Sequence, residues 1–376
     1  SSMFSNLNKT FELTENDFQE FINDLKKNGY LLESNNKIVN CNILLPYTKY
    51  NPLRRISIET NEKCNLRCSH CYGDFGNSTK EMLSYEDIIC ISKELDILNS
   101  YQIALTGGEF FINPDYKKIF THFKNEGYKI TIFSNGYYTN RVVELASDNS
   151  DCFIKIRISL DGFKETHNKI RRNNHSYQNA LNTIVELNKL KNIEINASLT
   201  VNKENYLEAT NLVDYLANIY HVKTTMDLAF LNSINFNNKN LFFTLDEYPT
   251  LKDKCPDIFT FKKNMMKKNR NEFRCIGGVY GAAITADKKM KICTGAMEDV
   301  FYFGEISERG VVGLWENPNE NISIYRNEKL SDIQKCKNCP SVNQCYYTNC
   351  RLLALLWNGN RYLPNPILCY GVRGEI

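Results

Sequence analysis

A parallel α/β fold, built as a partial barrel of six strand-helix repeats, is the architecture this 376-residue sequence predicts. Short runs rich in alternating and β-branched residues recur along the chain with helix-like stretches between them, an order that builds a parallel sheet. The turns carrying glycine, asparagine and carboxylates fall at the ends of those runs, where the ligands of such barrels gather. The expected strands are 54–60, 102–105, 129–133, 153–160, 193–201 and 224–230, and the expected helices 84–99, 114–126, 139–147, 177–190 and 205–220. They place the barrel over about residues 52–232.

Chemistry enters just after the first strand. Cys64, Cys68 and Cys71 stand at C-x3-C-x2-C spacing in a loop. Three close thiolates can hold three corners of a cubane iron-sulfur cluster and leave its fourth iron without a protein ligand. The trio alone leaves a zinc knuckle open as the alternative. The second strand ends in Thr106-Gly107-Gly108-Glu109, where glycines let backbone approach a ligand and the carboxylate can accept from an ammonium group. The third ends in Ser134-Asn135-Gly136, and the fourth in Ser159 with Asp161-Gly162. Asn-Gly and Asp-Gly are turn signals in their own right, and their shared position at strand ends favours a ligand site.

On these residues the sequence resembles the radical S-adenosylmethionine (SAM) superfamily. The resemblance implies that the open iron is chelated by the amino and carboxylate groups of SAM and injects the electron that cleaves it. It assigns the methionyl amino group to Gly107, Gly108 and Glu109, and ribose and carboxylate contacts to Ser134, Asn135, Ser159 and Asp161. His70 stands where the family often has an aromatic contact to adenine, and a hydrogen bond toward the cluster is its other expected role. Tyr72 and Arg171 complete the cofactor contacts expected.

Of fourteen cysteines, Cys41, Cys90, Cys152 and Cys255 are scattered and seven fall in the last hundred residues: Cys275, Cys293, Cys336, Cys339, Cys345, Cys350 and Cys369. Disulfides and a zinc ribbon are the plain alternatives, but seven thiols exceed one tetrahedral zinc site and fall one short of two. The seven resemble the SPASM extension, a C-terminal domain with two auxiliary iron-sulfur clusters. Two departures are local: Lys288 replaces a glycine five residues before Cys293, and four residues rather than five separate Cys345 from Cys350. The resemblance gives auxiliary cluster I to Cys275, Cys293 and Cys350, and auxiliary cluster II to Cys336, Cys339, Cys345 and Cys369. Cluster I then has a free iron unless Cys255 or a non-cysteine group reaches it.

Residues 1–50 form a separate unit. Thr14-Glu15-Asn16-Asp17 resembles a capping box, Phe18, Phe21, Ile22 and Leu25 recur at helical spacing, and 30–33 with 37–42 read as a hairpin. Helix then wing is similar to part of the winged-helix element with which peptide-modifying enzymes hold a leader peptide; a cap packed on the barrel is the bland alternative. The organisation expected is 1–50, a barrel over 51–232, an Asn- and Lys-rich bridge over 233–274, and a SPASM domain over 275–376.

A net charge of +3 implies no nucleic-acid footprint, and the longest strongly apolar run, 352–357, is too short to span a bilayer. Many cysteines without an export signal imply a reducing cytoplasm. The resemblance implies an enzyme whose 5′-deoxyadenosyl radical abstracts hydrogen from a ribosomally made precursor peptide, forming a thioether crosslink. A carbon-carbon crosslinking cyclase, a sulfatase-type maturase oxidising Cys or Ser, and a non-catalytic zinc module are the competing readings. The expected cofactors are a [4Fe-4S] cluster, two auxiliary iron-sulfur clusters and SAM, with a flavodoxin or ferredoxin as electron donor.

Overall fold

The computed structural model describes residues 14–27, 52–77, 82–232, 234–259, 275–341 and 350–374. The chain divides into two compact units, Ser1–Leu45 and Pro46–Ile376. In the first, the described element is a helix, Glu15–Lys27. Its start is the expected capping box: the Asp17 amide donates to Thr14 Oγ1 at 3.2 Å, and Thr14 N donates to the Asp17 carboxylate at 3.0 Å. The hairpin expected over 30–42 lies outside the described residues, as do Cys41 and Cys345.

The second unit is built on a nine-stranded sheet in the order β6-β5-β4-β3-β2-β1-β7-β8-β9. Strands β1 (Arg55–Glu59), β2 (Gln102–Thr106), β3 (Lys129–Ser134), β4 (Ile154–Ser159), β5 (Ile193–Val201) and β6 (Lys223–Leu228) run parallel. They are the six strands expected, to within a few residues. Beyond them the sheet continues: β7 (Gly281–Ile284) pairs parallel with β1, and β8 (Lys289–Lys291) and β9 (Tyr302–Glu305) follow antiparallel. β6 and β9 end the strand order, so the sheet does not close.

The central strands pack an apolar layer. Ile56, Ile58, Ile103, Leu105, Ile130, Ile132, Ile156 and Ile158 are all at most 3% exposed. Onto it pack helix faces read from their spacing: Ile88, Ile91 and Leu95 of Tyr85–Ile97, Ile119, Phe120 and Phe123 of Tyr116–Asn125, and Ala180, Ile184 and Leu187 of Ser176–Leu187. Each large apolar side chain buried this way contributes about 1.5–3 kcal/mol, and along β3 and β4 these side chains occupy alternate positions, so that one face of the sheet meets the helices. An additional helix, Lys164–Arg171, lies between β4 and the helix Ser176–Leu187. Because the strands are parallel, the segments that follow β1 to β5 emerge at one end of the sheet. The motif residues sit there.

Candidate active site

The chain leaving β1 is held against the end of β2. Thr60 N donates to Thr106 O at 2.9 Å, Gly108 N to Asn61 O at 2.8 Å, and Glu109 N to Lys63 O at 3.0 Å. A Cβ on Gly107, whose φ is +141°, would stand 2.4 Å from Asn61 O, and one on Gly108 would stand 2.4 Å from Lys63 O. The glycines thus admit the cysteine-bearing loop itself, where their expected role was to admit a ligand.

That loop carries three half-buried cysteines. Cys64 Sγ accepts from Leu66 N at 3.5 Å and Asn135 Nδ2 at 3.8 Å, and Cys68 Sγ accepts from Arg171 Nη1 at 3.5 Å. Burial pushes the Cys64 thiol up to about 12, with Cys68 and Glu109 adding to it, and the Cys68 thiol up to about 11. Burial likewise raises Cys71. A thiolate trio here calls for a positively charged partner. Among the described residues no three His, Cys, Asp or Glu side chains converge tightly enough to share one metal ion. A cubane makes no such demand, since each of its cysteines binds a different iron.

Glu109 faces the loop from β2 and is 2% exposed. Its carboxylate accepts from Asn135 N at 2.7 Å, Ser134 Oγ at 2.9 Å and Phe111 N at 3.2 Å. Burial nevertheless pushes its pKa up to about 7. A buried carboxylate so poised gains most from a cationic ligand, which fits the ammonium group of SAM. Asn135 also ties this group to the loop, donating to Asn65 Oδ1 at 2.9 Å.

From β4 comes a second polar cluster. Asp161, fully buried, accepts from Arg171 Nε at 2.6 Å and from Thr200 N at 3.0 Å. Burial would raise the Asp161 pKa, but Arg171, His70 and His167 outweigh it and hold the carboxyl below its usual range. Through Arg171 the pair reaches Cys68. His70 Nε2 lies 3.7 Å from Asp161 Oδ2, and its Nδ1 is buried with no partner among the described residues. Burial lowers the His70 pKa to about 4, so the ring is neutral near pH 7 and offers an orphaned nitrogen beside the cysteines. That suits a hydrogen-bonding ligand such as a nucleobase. Of the other expected contacts, Ser159 ends β4 in register with Ser198, and Tyr72 packs edge-on against Phe75, its hydroxyl hydrogen-bonding Glu59.

His167, from the helix Lys164–Arg171, underpins this cluster. Its Nδ1 accepts from Asp161 N at 3.0 Å, which leaves the ring proton on Nε2 to donate to Ser176 Oγ at 2.8 Å. Burial lowers its pKa to about 3. The unfolded chain takes up this proton near pH 6.5 and the folded one resists, so the contribution is intact above pH 6.5 and is lost as pH falls toward 3. The expected cost at pH 5 is about 2 kcal/mol. Denaturant titrations at pH 7.5 and pH 5 measure it, and His167→Gln should change the difference between the two pH values by about this amount, leaving the shares of other buried groups such as His70 and Glu109 in place; an unchanged difference in the variant would contradict the assignment.

Among the described C-terminal cysteines two sets show mutual influence. Burial, then Cys350 and Cys275, push the Cys293 thiol up to about 12, so these three thiols lie within electrostatic reach of one another. Tyr325, 8% exposed, feels all three. Cys255 is placed elsewhere: it is buried and its thiol donates to Tyr206 O at 3.2 Å. In the other group Cys336 and Cys339 share a turn, Cys339 N donating to Cys336 O at 3.2 Å, and Cys339 raises the Cys369 thiol after burial does.

Two features were invisible in the sequence. Lys291 and Glu59, 1% and 2% exposed, form an ion pair of 3.1 Å between β8 and β1. Tyr72, which bonds that carboxylate, feels both Cys71 and Cys293, so the cysteine-bearing loops of barrel and C-terminal region meet around it. A charged residue in a short strand reads as solvent-facing, and only pairing across the sheet reveals it.

Residues 58–216 match the Radical SAM superfamily. The sporulation killing factor maturation protein SkfB of Bacillus subtilis (strain 168) is 30% identical over 163 residues, 43% of this chain and 39% of that protein. The chain thus spans about two fifths of this relative's length. Streptococcus suis SuiB bound to S-adenosylmethionine superposes with a TM-score of 0.64 at 15% identity, covering 98% of this chain and 87% of that one. SuiB bound to its precursor peptide SuiA gives 0.59 at 14%, covering 83% and 79%. anSMEcpe with bound AdoMet and the Cp18Cys peptide gives 0.62 at 14%, covering 85% and 94%. At these identities the structures speak for the fold: an open-sheeted α/β partial barrel.

Proposed function

We propose, from the radical SAM domain of residues 58–216, that this protein is a SPASM-type maturase that modifies a ribosomally made peptide by forming a thioether crosslink. The observation that carries the thioether reading is the grouping of Cys275, Cys293 and Cys350 with Cys255 engaged elsewhere. Cys275, Cys293 and Cys350 would hold three irons of a cubane and leave the fourth for a substrate thiol, which the cluster would make easier to deprotonate and keep in position.

The residues fit the cofactors that the domain implies. Cys64, Cys68 and Cys71 would hold the [4Fe-4S] cluster, Glu109 the ammonium of SAM, and His70 its adenine; Cys336, Cys339, Cys345 and Cys369 would hold auxiliary cluster II. When bound, the iron-sulfur centres supply the electron that cleaves SAM to methionine and the 5′-deoxyadenosyl radical, and take up the electron released as sulfur joins carbon. The chain's own residues do the orienting. Ser134 and the Asn135 amide keep Glu109 aimed by filling its other lone pairs, and Arg171 places a cation on Cys68. The peptide loses one hydrogen atom from carbon to the radical and one proton from the thiol, which passes to solvent.

SkfB is named a maturation protein and SuiB is solved with a precursor peptide, which supports a peptide as the substrate class. Residues 1–50 would bind its leader, and a flavodoxin or ferredoxin would deliver electrons in a reducing cytoplasm. No helix among the described residues is long and apolar enough to cross a membrane. The test is incubation of reconstituted, reduced protein with cysteine-containing peptides drawn from short reading frames near its gene. The expected product is lighter by two hydrogens and has one thiol fewer to alkylate, whereas Cys275→Ala should stop crosslinking yet still move deuterium from labelled peptide into 5′-deoxyadenosine. A product lighter by two hydrogens with every thiol still alkylatable would favour the carbon-carbon reading.

A further inference from the structure

The face of the sheet turned away from the helices is polar. Along β4 the isoleucines that meet the helices alternate with Lys155, Arg157 and Ser159, and along β5 Ile195, Ala197 and Leu199 alternate with Glu194, Asn196 and Ser198. Register places Phe133, Arg157 and Asn196 side by side on this face, with Ser159 and Ser198 paired in the next row. The isoleucines of β4 are fully buried, whereas Lys155, Arg157, Ser159 and Ser198 are half-buried. A face so polar is not packed as a core; it lines a space that water or a ligand fills. Arg157 stands on β4 one row below Ser159, so this space adjoins the strand ends that carry Glu109, Ser134 and Asp161.

Two charged groups of this face are paired in place: Lys155 meets Glu194 at 2.5 Å across the β4–β5 ladder, and Glu59 meets Lys291 at 3.1 Å. Arg157 has no such partner. Its guanidinium rests on the Phe133 ring, 5.2 Å from the centroid, and its Nε is buried without a hydrogen-bond partner among the described residues. After burial, the charge of Arg157 is felt by Asp227 of β6 and by Arg55 of β1, one carboxylate against two cations, and no ion pair among the described residues joins Asp227 to either. Ser198 Oγ, diagonal to Arg157 on the neighbouring strand, is likewise buried and unpartnered. Buried donors left unpaired are costly, and a guanidinium fork beside a hydroxyl matches the two oxygens of a carboxylate.

We propose that Arg157 determines substrate specificity: its guanidinium, braced on Phe133 and assisted by the Ser198 hydroxyl, takes a carboxylate of the peptide and so selects a substrate that carries one there. This rests on the reading above that the substrate is a peptide. An acidic side chain and the free C-terminus of a peptide present the same two oxygens, and either satisfies the site. Because Arg157 stands one row below the strand ends, the carboxylate it holds sets which part of the peptide faces the residues gathered there. Lysine at the position would keep the charge and lose the fork, and methionine would keep much of the bulk without either.

The experiment uses full-length, reconstituted protein and whichever of the cysteine-containing peptides above it modifies. Each Asp and Glu of the peptide is changed in turn to Asn or Gln, and in a further version the C-terminus is amidated. Peptide Kd is read by fluorescence anisotropy, and SAM binding by equilibrium dialysis. One neutralised version is expected to bind the parent roughly 30-fold more weakly, and Arg157→Met to weaken the unaltered peptide by a similar factor. The two changes together should cost no more than either alone, and the version concerned identifies the carboxylate as side chain or chain terminus. Arg157→Lys should recover part of the loss, with SAM affinity unmoved throughout. Ser198→Ala should give a smaller loss confined to the same carboxylate, which keeps the proposal testable if Arg157→Met does not fold. Additive losses, equal binding of every neutralised version, or an Arg157→Met defect in SAM binding with peptide affinity intact would each overturn the proposal and leave the peptide reading standing. A protein that binds and modifies none of the peptides would overturn that reading, and this proposal with it.

Discussion

Replacing Asp161 with Ala is expected to cost about 3–5 kcal/mol of folding stability, the range for removing one partner of a buried ion pair. The carboxylate is fully buried and meets Arg171 at 2.6 Å, and Arg171 is itself only 7% exposed. Burial works against the Arg171 charge, and Asp161 with Cys68 outweighs it; a guanidinium does not give up its proton in proteins, so it stays charged when the partner is removed. The variant therefore strands a buried cation and an unfilled Thr200 amide at once. Its coupling to Cys68 gives a second consequence: the cysteine loop loses the anchor that fixes Arg171. Urea denaturation of variant and parent measures the cost. A loss below about 1 kcal/mol, the size of an exposed pair, would contradict it.

The six parallel strands were legible because apolar residues alternate along them, as Ile154, Ile156 and Ile158 do between Lys155, Arg157 and Ser159 in β4. The helix Lys164–Arg171 was not, because its inward residues include His167 and Arg171, which periodicity counts as polar. Strands β7 to β9 are three or four residues long, too short for alternation to register, and Lys291 in β8 turns a charge inward toward Glu59. The cysteine loop and the strand-end motifs were readable from spacing alone. Spacing did not show that Gly107 and Gly108 also admit the cysteine loop, since a close approach of two backbones and a close approach to a ligand leave the same mark. Grouping Cys275 with Cys293 and Cys350 rested on resemblance, because residues so far apart in sequence carry no local signal of their meeting. Tyr325, buried among those thiols, had no signature at all.

The largest functional effect is expected at the loop after β1. Replacing Cys64, Cys68 and Cys71 together with Ala should abolish reductive cleavage of SAM, because these are the thiols grouped with Glu109, Asn135 and Arg171 at the end of the parallel strands. The other two groups lie in the C-terminal region and should keep their iron. The content should therefore fall by about a third from the ~12 irons of three cubanes. The decisive measurement is the amount of 5′-deoxyadenosine formed by dithionite-reduced, reconstituted protein and by the triple variant, each with its iron counted. The account predicts turnover-dependent 5′-deoxyadenosine in the parent and none in a variant that retains about eight irons. Undiminished 5′-deoxyadenosine in the variant, or a parent that binds zinc in place of iron and leaves SAM intact, would contradict it.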